Sequence, residues 1–98
     1  MKVKTYVDRI EALSKKYSGN LYTYSALAVV RDCAREVGDH VELEKYGRAG
    51  RTLFTVGEAC RTLESVVSSQ EWQKICSPLT INDFIEGVFE EHGKSDYY

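Results

Sequence analysis

Val41-Glu42-Leu43-Glu44-Lys45-Tyr46-Gly47-Arg48-Ala49-Gly50-Arg51-Thr52-Leu53-Phe54-Thr55 is the stretch on which the fold turns. Val41 and Leu43 alternate with Glu42 and Glu44, and Leu53 and Thr55 alternate with Thr52 and Phe54. On a helical wheel Val41, Leu43 and Tyr46 scatter, whereas a period of two puts alternate side chains on one face of a strand. Gly47-Arg48-Ala49-Gly50 lies between the two runs as a Gly-bounded turn. The pattern predicts a β-hairpin over 41–46 and 51–55. A competing pattern is a short helix capped by Asp39 with Glu42 three residues on. A lone two-stranded hairpin is marginal in water, so this one is expected to lie on helices.

The flanking segments read as helices. Val3, Tyr6, Val7, Ile10, Leu13 and Tyr17 fall within an arc of about 120° at 100° per residue. They predict an amphipathic helix over 3–17, stopped by Ser18-Gly19-Asn20. Ser25 caps a second helix over 25–37, with Gly38 as its stop. Its apolar side is Ala26, Leu27, Val29, Val30, Cys33, Ala34 and Val37. That arc is near 160°, the widest in the chain, and predicts the most buried helix. Thr55 followed by Glu58 opens a third helix over 56–67. A short helix starts at Ser68-Ser69 and ends before Ser77-Pro78, and Thr80 or Asn82 caps a last one over 81–92. Lys94 to Tyr98 reads as a frayed tail. The expected architecture is one mainly α domain over 1–98: a compact bundle of four to five helices with one β-hairpin inserted between helices two and three.

Charge is divided along the chain. Residues 1–20 carry five basic and two acidic side chains, residues 21–52 five of each, and residues 53–98 three and eight, for a net charge of −2. A basic beginning and an acidic end predict two surfaces of opposite sign. Lys45, Arg48 and Arg51 crowd the predicted hairpin tip beside Tyr46. Backbone amides in such turns bind anions, and arginine adds a two-pronged donor for phosphate or carboxylate. The Gly-Lys-Ser/Thr ending of a P-loop is missing.

Phe54-Thr55-Val56-Gly57-Glu58-Ala59-Cys60 resembles, over seven residues, the opening of the DNA-binding domain of MerR-type regulators. That resemblance implies a helix-turn-helix that reads DNA. The next segment departs from it: there is no Gly at the turn, and Gln70-Glu71-Trp72-Gln73-Lys74 offers a thin recognition face.

Cys33, Cys60 and Cys76 are widely spaced and odd in number, which predicts free thiols in a reducing cytoplasm. Lys2 and Lys4 are not followed by the apolar run of a signal peptide, and no stretch reaches the ~18 apolar residues of a membrane span. His40 and His92 complete no short metal-ligand spacing with the cysteines, so neither metal nor cofactor is expected. Cys60 is placed on an apolar stripe, and Asp83, Glu86 and Glu90 on a wet face, so no catalytic set is expected.

The reading that follows is a small non-catalytic protein-binding module, an adaptor or inhibitor that occupies a partner surface. Small acidic domains of this kind include phage-encoded anti-defence proteins. The expected contact residues are Lys45, Tyr46, Arg48, Arg51, Trp72, Asp83, Glu86 and Glu90. The alternative is a nucleic-acid-binding regulator that uses the basic tip.

Overall fold

The computed structural model describes residues 1–93, so the expected fray of 94–98 lies outside the described residues. Five helices make up the described chain: α1 Val3–Lys16, α2 Leu21–Glu42, α3 Tyr46–Glu64, α4 Ser69–Ile75 and α5 Pro78–Glu91. No helix among them is long and apolar enough to cross a membrane.

The β-hairpin does not form, and no residue of the described chain is in a strand. Val41 and Glu42 are the last residues of α2, and Tyr46 to Thr55 are the first half of α3. Buried residues of α3 are Ala49, Val56, Cys60 and Leu63, at spacings of seven, four and three. That is the helical period, and it runs through the supposed second strand. Val41 is buried but Leu43 is 62% exposed, and Leu53 is half-buried but Thr55 exposed, so neither alternating run presents one face to the core as a strand would require. Gly47 and Gly50 each weaken a helix by about 1 kcal/mol relative to Ala. Packing of α3 along α2, the most extensive pairing in the molecule, outweighs them. The Asp39 capping pattern fails as well, because Asp39 lies inside α2.

The connection between α2 and α3 is only Leu43, Glu44 and Lys45. Glu44 adopts φ +57°. Its N–H donates to the Val41 carbonyl (3.0 Å), and the Lys45 N–H donates to that of His40 (2.8 Å). These bonds make a Schellman motif, with Glu where Gly is usual. A β-carbon in the left-handed region costs about 1–2 kcal/mol. Glu44→Gly is therefore expected to stabilise the fold by up to about 1 kcal/mol, after the entropy a glycine adds to the unfolded chain. A lower urea midpoint for this variant would show that the turn does not carry that strain.

Helix α2 is longer than predicted at both ends. Asn20 caps it by accepting the Thr23 N–H at 3.1 Å, in place of Ser25. Gly38 does not stop it. A β-carbon there would lie 3.3 Å from Val3 Cγ2, so Gly38 is where α1 approaches α2. Pro78 opens α5 rather than merely ending α4, with Ser77 accepting the Thr80 N–H at 3.1 Å.

One core joins all five helices: Tyr6 and Ile10 of α1; Leu27, Val30, Ala34 and Val37 of α2; Val56 and Leu63 of α3; Ile75 of α4; Phe84 and Val88 of α5. Tyr6 stacks on Phe84 with centroids 4.5 Å apart, and its hydroxyl donates to the Ile75 carbonyl. Burial pushes that phenol well above its usual pKa.

The expectation of three free thiols is also corrected. Cys60 of α3 and Cys76, just after α4, form a disulfide with Cα atoms 5.4 Å apart. Only Cys33 is unpaired, and it is half-buried. The sequence puts Cys33 and Cys60 on apolar stripes and Cys76 on none, and it is the packing of α4 beside α3 that brings Cys76, the C-cap of α4, to Cys60. The argument from free thiols to a reducing cytoplasm loses its basis.

Candidate functional site: the cleft between α1 and α4

The eight predicted contact residues do not converge. Lys45, Arg48 and Arg51 are exposed around the start of α3. Neither Arg48 nor Arg51 has an ion-pair partner among the described residues. With no acid in the first turn of α3, the positive end of the helix dipole adds to their field. Tyr46 turns inward and stacks on Phe89 at 5.9 Å, so it fastens α3 to α5. Trp72 is half-buried near the disulfide, in the wall of a separate hollow between α3 and the α4–α5 turn. Asp83, Glu86 and Glu90 form an exposed row along α5.

A site that the sequence did not single out lies between α1 and α4. It is an open cleft of about 320 Å³ lined by Arg9, Ala12, Leu13, Lys16, Glu71, Lys74 and Ile75. Helical spacing explains the α1 wall: Arg9, Leu13 and Lys16 recur at four and three, beside the buried stripe. Leu13 is half-buried and Ile75 buried, which gives the cleft an apolar floor. Arg9, Lys16 and Lys74 stand on its rim against a single acid, Glu71.

Glu71 is fully occupied. One carboxylate oxygen accepts from Lys16, and the other accepts from the Tyr17 hydroxyl at 2.8 Å and from the Ser68 N–H at 3.2 Å. The Ser68 hydroxyl accepts the Glu71 N–H in return, which completes a capping box at the start of α4. Its bond to Lys16, then that to Tyr17, pulls the carboxyl pKa down to about 2. The same bonds raise the pKa values of Lys16 and Tyr17. Glu71 thus locks the cleft wall, while Arg9 and Lys74 have no ion-pair partner among the described residues.

A folded pKa below the unfolded value of about 4.3 gives stability that is complete above the unfolded value and lost as pH falls to about 2. Wild type is expected to lose urea resistance between about pH 5 and pH 2 more steeply than Glu71→Gln. Parallel curves for the two proteins would contradict this role.

The signal for the cleft was half present in the sequence. The basic beginning contains Arg9 and Lys16, but nothing local relates them to Glu71 and Lys74, more than fifty residues away. Among the described residues, no three His, Cys, Asp or Glu side chains group to hold a metal. Burial, with Glu36 and Asp32 adding to it, pushes the Cys33 thiol pKa up and disfavours a reactive thiolate. Phe54 to Cys60 continues α3 without opening a helix-turn-helix. Comparison with protein-family models, curated proteins and solved structures finds no match.

Proposed function

We propose that the protein is a non-catalytic protein-binding module, an adaptor or inhibitor, that receives an acidic, partly apolar segment of its partner in the α1–α4 cleft. One observation carries this reading: an apolar floor of Leu13 and Ile75 under a rim on which Arg9 and Lys74 have no acid of their own. The volume is at the lower end for ligand pockets, the size of one or two inserted side chains. Guanidinium and ammonium groups beside an apolar floor favour a carboxylate next to an aliphatic or aromatic group.

The test is affinity capture from the native source with wild type and with Arg9→Glu/Lys74→Glu. A stoichiometric protein is expected on wild type, with retention reduced about tenfold or more in the double variant. Equal retention by both would overturn the assignment of the cleft.

The second reading is a nucleic-acid contact at the start of α3, favoured by unpaired Arg48 and Arg51 at the positive end of a helix. It predicts retention on DNA or RNA at low salt that falls steeply as salt rises and is lost in Arg48→Glu/Arg51→Glu.

A further inference from the structure

The wide apolar arc of α2 is only partly used. Tyr22, Ala26, Val29 and Cys33 recur at four, three and four along its outer flank. Across a shallow groove of about 410 Å³, Thr55, Ala59 and Thr62 of α3 continue the surface. Tyr22 is 69% exposed and Val29 40%. Small residues make the trough, while Tyr22 and Val29 stand beside it as knobs. A flank left apolar and exposed at Tyr22 and Val29 is one that a two-fold partner can cover.

We propose that a second copy of this chain covers this face, α2 on α2 and α3 on α3, each pair antiparallel, with the two-fold axis at the level of Val29 and Thr55. Charge fixes the register. Arg51 lies four residues before Thr55 and Glu58 three after it, so the axis brings Glu58 of one copy opposite Arg51 of the other, twice. Among the described residues Arg51 has no ion pair, and Glu58 holds only the exposed Arg61, at 3.3 Å. Of the acids along the outer flank of α2, Asp32 already takes Arg31 and Arg35, and Glu36 meets His40 at 3.1 Å. Sliding the axis to Ala59 would set the two Glu58 carboxylates together, which is repulsive.

The area suffices. Two neighbouring helices about 30 Å long present a strip about 20 Å wide, or roughly 600 Å² per copy and about 1,200 Å² in all. That is the lower edge of stable specific interfaces. The proposal uses none of the residues of the α1–α4 cleft, so either can fail alone.

The test is the mass of the purified full chain by light scattering and sedimentation equilibrium at about 100 µM, where a micromolar dimer is fully formed. Twice the 11.2 kDa chain mass is expected for wild type. Val29→Glu, which sets two carboxylates together on the axis, is expected to weaken the dimer roughly tenfold or more, with an unchanged helical spectrum. Val29→Cys in a Cys33→Ser background is expected to cross-link to its own copy under mild oxidation, because Val29 sits on the axis. A monomer at this concentration, a dimer indifferent to Val29→Glu, or a Val29→Cys protein that does not cross-link would overturn the proposal.

Discussion

Phe84→Ala should lower the free energy of unfolding by about 3–5 kcal/mol. Phe84 is 1% exposed and among the largest fully buried side chains. Its removal leaves a cavity at the meeting point of α1 and α5 and takes away the ring on which Tyr6 stacks. Tyr6 in turn ties α1 to α4 through the Ile75 carbonyl, so the loss spreads to the floor of the candidate cleft. Single domains are stable by only about 5–15 kcal/mol in total, so the variant should be close to unfolding at 37 °C. Urea denaturation followed by far-ultraviolet circular dichroism measures this. A loss under about 1 kcal/mol would mean that the core is not centred on Phe84.

The second large effect concerns Cys60 and Cys76. Their cross-link spans a sequence separation of 16 residues. Restricting a loop of that length in the unfolded chain contributes about 3 kcal/mol in the chain-entropy view. Cys60→Ala with Cys76→Ala should lower Tm by roughly 10–20 °C. Reductant should lower the wild-type Tm by a similar amount and leave the double variant unchanged. The effect has a structural address: both cysteines are buried, and the bond clamps the end of the seven-residue α4 to α3. Without it, α4 retains its capping box and the contacts of Tyr6 and Lys16. A wild-type Tm indifferent to reductant would contradict the clamp.

How much of this was legible in the sequence depended on whether the deciding interaction was local. The first helix is expected over 3–17 and found over Val3–Lys16, because its stripe and its stop are adjacent in the chain. The short helix after Ser68 is found for the same reason, its capping box lying within four residues. The region 41–55 misleads because the element that ends α2 carries no signal. A glycine at position 44 would have announced the left-handed turn; glutamate there does not. The visible glycines, Gly47 and Gly50, lie instead in the first turns of α3, where an added β-carbon meets no neighbouring atom within 4 Å. The alternation of Val41 with Leu43 is accidental, since the first is buried and the second lies in the connection.

The candidate site divides in the same way. The cations of α1 were visible as a basic beginning, and the cations around Arg48 as a cluster, though one set on a helix rather than a hairpin tip. The pairing of α1 with α4, the inward turn of Tyr46 onto Phe89 and the meeting of Cys60 with Cys76 are tertiary facts. None has a spacing that one segment could display.

The architecture, the placing of Arg48 and Arg51 on a helix and the proposed dimer face all rest on α2 and α3 as two long helices joined at Glu44. Backbone chemical shifts and nuclear Overhauser contacts over Val41 to Thr55 test that most directly. The fold predicts helical Cα shifts from Tyr46 onward, contacts between Hα of residue i and Hβ of residue i+3 from Tyr46 through Thr55, and a break only at Leu43–Lys45. Extended shifts with close Hα–Hα pairs between 41–46 and 51–55 would contradict it.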